Sequence, residues 1–211
     1  MDNRQTVRTL RIIQHNVRNW KTERINLSNI YREIDPDIIL INSHGETENN
    51  NIKLFNYYVN QRNKSGEKND GVAIAVKRNL KFKLIDDFQD EFLAIKINTT
   101  QGDVIIATTY LPPRRPYLPI EDLLKLANNS HPMYILGDFN ARHRIFDNTN
   151  NNVVGNALNQ LINLGKINHL GPNFPTWRNH NTQSTPDKIF TNNKAFFNYH
   201  IIQAVTICQL Y

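Results

Sequence analysis

Asp138 and Asn140 stand two positions apart at the end of a short apolar run, in Tyr134-Ile135-Leu136-Gly137-Asp138-Phe139-Asn140-Ala141-Arg142-His143. Alternate residues of a strand share a face, so both would point the same way at the strand's carboxyl end. An anionic acceptor beside a neutral amide suits a site for a hard cation and a phosphate oxygen. The same residue types also favour an Asx-type turn, and taken alone the segment leaves both readings open. Other polar residues recur where apolar strands stop. Asn16 follows Leu10 to His15, Glu46 lies just past Ile38 to Asn42, Tyr110 closes Val104 to Thr109, and Asp187 precedes Ile189-Phe190. Loops gathered at one end of a sheet converge on a site more readily than residues scattered through a core.

The elements that must position these residues are short and alternate in type. Strands are expected at Leu10 to Gln14, Asp37 to Asn42, Phe55 to Gln61, Gly71 to Val76, Phe92 to Asn98, Asp103 to Tyr110 and Met133 to Leu136. Trp20 to Ile34 carries Ile25, Leu27, Ile30, Tyr31 and Ile34 at roughly helical spacing and should end at Asp35-Pro36, because the residue before proline avoids helical geometry. Pro119 to Asn128 and Val154 to Leu164 read as further helices, the second stopped at Gly165. Thr99-Thr100-Gln101-Gly102 suits a hairpin, and shorter strands fit Ile167 to Leu170, Asp187 to Thr191 and His200 to Val205. Nothing repeats at a fixed period and no linker divides the chain. The expectation is a single α/β domain over residues 1–211, with two sheets packed on each other and helices outside.

Composition narrows the partners. The 211 residues are 39% hydrophobic and 21% charged, an ordinary globular balance, and no apolar run approaches the length that spans a bilayer. The lone Cys208 excludes an intramolecular disulfide and a cysteine zinc site, so a reducing, intracellular setting is expected. Lys and Arg outnumber Asp and Glu by 25 to 19, for a formal charge of +6, which favours a polyanion such as nucleic acid. Arg114, Arg115, Arg142 and Arg144 stand beside the candidate motifs and are the first basic residues expected to meet DNA phosphates.

Taken in order, these motifs resemble the endonuclease/exonuclease/phosphatase superfamily of deoxyribonuclease I and the apurinic endonucleases. The similarity is closer to one branch, the endonuclease domain of non-LTR, LINE-like retrotransposons of the jockey and I type. It rests on Gln14-His15-Asn16, Pro36-Asp37-Ile38-Ile39, Tyr110-x-Pro112-Pro113, and Gly137-Asp138-Phe139-Asn140-Ala141-Arg142-His143. Asn152-x-x-Gly155-x-x-Leu158 and Ser184-Thr185-Pro186-Asp187-Lys188-Ile189-Phe190 complete it. The resemblance implies a four-layer sandwich of two mixed sheets flanked by helices, and a divalent-metal site for Mg²⁺, or Mn²⁺ in its place, at the sheet ends. It implies Glu46 as the principal metal ligand with Asn16 beside it, and Asp138 orienting or deprotonating the attacking water. Asn140 and Tyr110 would hold the phosphoryl oxygens. In a full-length element a reverse transcriptase domain would share the polypeptide, DNA would be the substrate, and access to the nucleus would follow.

The chain departs from the family pattern in two places. A gap-free match puts Ser43 where the metal-binding glutamate belongs, whereas a short insertion brings in Glu46, with Glu48 as a further candidate. The family's closing Ser-Asp-His motif is missing from the run His200 to Tyr211, so the domain is expected to be C-terminally incomplete, its last strand cut short, and Asp187 to lack the histidine it would orient. Losing such a group costs roughly 10² to 10⁴ in rate. The expectation is therefore a Mg²⁺-dependent, DNA-nicking endonuclease impaired by that loss. The alternative is a catalytically inactive, nucleic-acid-binding remnant of the same fold, and a phosphatase of the superfamily ranks below both.

Overall fold

The computed structural model describes residues 10–47, 49–63, 70–88, 92–99, 102–113, 117–146, 148–172, 174–179, 182–192, 198–202 and 205–210. In chain order the elements are β1 (Leu10–Asn16), α1 (Trp20–Ile34), β2 (Ile38–Asn42), β3 (Tyr57–Arg62), β4 (Val72–Lys77), β5 (Phe82–Ile85), β6 (Phe92–Thr99) and β7 (Gly102–Tyr110). There follow α2 (Ile120–Ala127), β8 (Met133–Asp138), α3 (Val153–Asn163), β9 (Asn168–Gly171), β10 (Trp177–Asn179), β11 (Thr182–Ser184), β12 (Asp187–Thr191), β13 (Asn198–Ile202) and β14 (Val205–Leu210).

Two six-stranded sheets form, in the orders β13-β14-β1-β2-β4-β3 and β5-β6-β7-β8-β12-β9, and β10 and β11 make a separate hairpin. Both sheets are mixed. β1 runs parallel to β2 and β7 parallel to β8, while the other pairings are antiparallel. The continuous apolar runs explain why, since a strand covered on both faces shows no polar alternation. In β2, Ile38 and Leu40 pack between the sheets and Ile39 and Ile41 pack outward under α1. In β8, Tyr134 and Leu136 face the other sheet, whereas Met133 and Ile135 face α2 and α3. The period of two thus sorts one hydrophobic string into two cores. The resulting order of layers is helix, sheet, sheet, helices, the four-layer sandwich expected from the motifs.

Helix ends follow local chemistry. The Asn19 side chain caps α1 by accepting from the Thr22 amide, and the helix stops at Asp35 in a left-handed conformation. Asn152 caps α3 by accepting from the Gly155 amide. Differences from the sequence reading lie at edges. β5 is a short edge strand, residues 198–210 contribute two antiparallel strands rather than one, and β14 takes the place beside β1. In β6 and β7 Thr99 pairs with Gly102, as the hairpin reading required.

One contact fixes how α3 meets the segment after β8. The Gly155 backbone lies so close to Arg142 that an added Cβ would fall 2.0 Å from the Arg142 carbonyl oxygen. Gly155→Ala is expected to destabilise the fold by about 1–3 kcal/mol, the usual cost of overpacking. Urea unfolding followed by circular dichroism measures it, and an unchanged midpoint would refute this seating of α3.

Candidate active site

The carboxyl ends of β1, β2, β7 and β8 and the start of β12 border one cavity of about 550 Å³. Asn16, Ser43, Tyr110, Asp138, Asn140 and Asp187 all line it, with Arg18 and Arg142 also on its wall. Pairing alone dictates much of this. Asp138 is opposite Tyr110 on β7 and opposite Asp187 on β12, so three candidate side chains sit abreast on neighbouring strands. Asn16 arrives from the other sheet and donates its amide to Asp138 Oδ2. The Asn140 backbone amide donates to Asp138 Oδ1 at 3.1 Å. Asn140 itself is left-handed, φ 46°, a conformation asparagine tolerates, and its side-chain amide donates to the Leu111 carbonyl at 2.9 Å.

A chain of amides behind the cavity joins the sheets. Gln14 Nε2 donates to Asn42 Oδ1 at 2.6 Å and to Asp187 Oδ1 at 3.2 Å, and Asn42 Nδ2 donates to Thr108 Oγ1 at 2.9 Å. Gln14, Asn42 and Thr108 are buried, so this network meets polar demand that water cannot reach. Asn152 performs a similar service on the outer side. It receives the Arg142 amide at 2.9 Å and donates to the Asn140 carbonyl at 2.8 Å, tying the Asn140–Arg142 backbone to the start of α3.

Burial and crowding set the charges. Asp138, only 4% exposed, has its pKa pushed up to about 7, first by desolvation and then by Asp187. Asp187 is raised as well, chiefly by desolvation, against the Gln14 hydrogen bond that favours its charged form. Tyr110 is raised by burial, and its hydroxyl shares a hydrogen bond with the Ser43 side chain.

Of the residues singled out in sequence, Asn16, Tyr110, Asp138, Asn140, Asp187 and Arg142 meet in this cavity, and Glu46 does not line it. The reason is a turn at the end of β2. Ser43 and Gly45 are both left-handed, Ser43 and Gly45 amides hang on the Gly71 and Asp70 carbonyls, and the Glu46 amide donates to His44 Nδ1. The position bordering the cavity is therefore Ser43. Arg144 is exposed in a short 3₁₀ turn off the cavity wall, and Glu48, Arg114 and Arg115 lie outside the described residues. Arg18, Trp177 and the Gln14–Asn42–Thr108 chain are additions. Gln14 stood inside the Gln14-His15-Asn16 motif, but its contacts join residues remote in sequence, and no local signal marks them.

The donor set fits a divalent cation. Among the described residues no group of three or more His, Cys, Asp or Glu side chains could hold a metal ion. Mg²⁺, however, commonly takes one or two carboxylates and completes its shell with water and substrate phosphate. Asp138, buried, and Asp187, half-buried on the neighbouring strand, are a pair in which Asp187 raises the proton affinity of Asp138, a repulsion that a cation would relieve.

Comparison with known proteins agrees with this geometry. The family model described as endonuclease-reverse transcriptase matches residues 104–206. An RNA-directed DNA polymerase from the mobile element jockey of Drosophila funebris is 24% identical over 157 residues, 72% of this chain and 17% of that protein. Its Drosophila melanogaster counterpart is 25% identical over 59% of this chain and 14% of its own length. The chain thus spans well under a fifth of these relatives. Among solved structures, the endonuclease domain of TRAS1, a telomere-specific non-LTR retrotransposon, aligns with a TM-score of 0.73 at 18% identity, covering 96% of this chain and 98% of that one. The AP endonuclease LMAP from Leishmania major aligns with a TM-score of 0.75 at 12% identity, over 96% and 88%. The resemblance read from the motifs is borne out, and the chain has the nuclease fold.

Asp138 holds its proton more tightly in the folded chain than in the unfolded one. Its contribution to stability is whole below the unfolded pKa near 4 and is lost as pH rises through about 7. Asp138→Asn should remove that loss, so the difference in melting temperature, variant minus wild type, should grow in the variant's favour from pH 4 to pH 8. A pH-independent difference would show that Asp138 is not desolvated.

Proposed function

We propose that the chain is a phosphodiester-cleaving nuclease domain, a Mg²⁺-dependent endonuclease that nicks DNA for a non-LTR retrotransposon. The observation that carries this reading is the row Tyr110–Asp138–Asp187, capped by Asn16 from the opposite sheet, within one cavity. Hydrolysis of a phosphodiester needs a positioned water, a base and donors for the equatorial oxygens. Asp138, with a pKa near neutrality, takes the proton of the attacking water, while Asn16 and the Asn140 amide keep its carboxylate oriented. The Tyr110 hydroxyl and the Asn140 side chain meet the phosphoryl oxygens, and Arg142 and Arg18 offset the backbone charge at the cavity wall. Gln14 donates to Asp187 and keeps its carboxylate at the cavity. Asp187 and the Asn16 amide oxygen would hold Mg²⁺, which when bound supplies Lewis-acid polarisation and charge neutralisation at the phosphate. Glu46 takes no part in this proposal because it stands off the cavity wall.

The jockey relatives are RNA-directed DNA polymerases, which supports a reverse transcriptase in the same polypeptide of the full element, and with it nuclear access to the target. No described helix is long and apolar enough to cross a membrane.

A second reading, a nucleic-acid-binding domain without activity, is favoured by Ser43 at the strand end where the family carries a carboxylate. Plasmid nicking separates the two. The active reading expects supercoiled DNA to be relaxed with Mg²⁺, spared with EDTA, and cut at least about 10²-fold more slowly by Asp138→Ala. A folded protein that binds DNA but never nicks it establishes the inactive reading. For the active domain the nicking rate should climb as pH rises toward 7 and Asp138 ionises, and a rate flat between pH 5 and 8 would remove Asp138 as the base.

A further inference from the structure

The outer face of α1 carries basic residues that the cavity does not use. At about 100° per residue, Lys21, Arg24, Ser28 and Arg32 fall within roughly 80° of one another on the helix circumference. Lys21, Arg24 and Arg32 are exposed, and none forms a salt bridge among the described residues. A groove of about 400 Å³ runs beside them, lined by Arg24, Ser28, Asn29, Arg32, Asn51 and Lys53, and no carboxylate among the described residues lines it. Glu23 belongs to the other side of the helix, where its charge acts on the His15 ring. The helix is firmly seated through buried Trp20, Leu27 and Tyr31, so the basic row is held in place by the fold.

This row leads away from the active site. Arg18 lines the cavity, and two residues later Trp20 lines the groove. From Lys21 to Arg32 the helix rises roughly 16 Å, at about 1.5 Å per residue. One DNA strand places a charge about every 3.4 Å along its axis, so the row is long enough to meet several phosphates of one strand. Amide donors from Asn29 and Asn51 add hydrogen-bonding partners for phosphate oxygens, while the Ser28 hydroxyl donates to the Arg24 carbonyl at 2.6 Å. A lipid surface fits less well, because among the described residues Ile25 is the single well-exposed apolar side chain lining the groove, and membrane-bound helices present an extended apolar face.

We propose that this face of α1 is a second nucleic-acid contact, a phosphate track that holds the duplex flanking the bond in the cavity. The proposal rests on the nuclease reading for its substrate, but it is tested by binding rather than by cleavage. The triple variant Lys21→Gln/Arg24→Gln/Arg32→Gln of the whole chain is compared with wild type by fluorescence anisotropy, from about 50 to 200 mM salt. The probes are a duplex of about 30 base pairs and a hairpin of about 4, the second, roughly 14 Å at about 3.4 Å per step, shorter than the row alone and so unable to fill cavity and row together. On the long duplex the variant should bind at least about tenfold more weakly, and its log–log salt slope should flatten by about 2 to 3. Affinity for the short hairpin and the thermal melt should not change. Unchanged affinity and slope on the long duplex would overturn the proposal, as would an equal loss on both probes. Loss of binding to phosphatidylserine vesicles with intact duplex binding would overturn it in favour of a lipid surface. Nicking is scored separately: if neither protein nicks but the long-duplex loss remains, the cavity reading alone fails.

Discussion

Everything in the candidate site depends on the register of β8. The strand lies parallel to β7 and antiparallel to β12, and that placement sets Asp138 opposite Tyr110 on one side and opposite Asp187 on the other. A slip of one residue would turn Asp138 into the helix-covered core and bring Gly137 or Phe139 to the cavity. The register is held by packing rather than by the polar groups. Met133 and Ile135 must meet the helices and Tyr134 and Leu136 the other sheet, which a one-residue slip would reverse. Gly137 secures the same alignment, because any Cβ there would fall 2.2 Å from the Thr109 carbonyl oxygen.

Two neighbouring carboxylates, one of them buried, need compensation, and the opposite sheet supplies part of it. Asn16 donates to Asp138 and Gln14 to Asp187, so the first strand of one sheet serves the charged strands of the other. Gln14 also engages Asn42, which reaches back to Thr108, and the chain of donors and acceptors closes across the interior. Satisfied networks of this kind specify a unique arrangement, since a shift of either sheet would strand several polar groups in a dry core. The joint between the sheets and the orientation of the acids are therefore one structural problem with one solution.

The residues that were legible in the sequence are those whose signal is local. Asp37 to Asn42 and Tyr134 to Leu136 read as buried strands from unbroken apolar runs. Trp20 to Ile34 reads as a helix from its spacing, and Asp138 reads as the end of a strand from the apolar run before it. What escaped notice depends on distant partners. β5 and the β10–β11 hairpin are short and weakly patterned, and the role of Gln14 exists only because residue 187 folds back beside it. Glu46 is the instructive case. Its distance along the chain suits a ligand, yet two left-handed residues, Ser43 and Gly45, turn the backbone before it arrives, and such turns leave little trace in composition.

That turn decides the electrostatics of the cavity. With Ser43 at the end of β2, the sheet containing β1 and β2 offers the cavity neutral groups, the Asn16 amide and the Ser43 hydroxyl, followed by the Arg18 cation. Both carboxylates that line the cavity among the described residues, Asp138 and Asp187, come from the other sheet. Negative charge is thus confined to one wall while Arg18 and Arg142 stand at its border. A ligand suited to such a divided surface must carry an anionic group toward the arginines and tolerate, or bring, positive charge against the aspartates. A phosphodiester accompanied by a divalent cation satisfies both walls at once, whereas a bare anion would meet the acids uncompensated and a bare cation would leave the arginines idle.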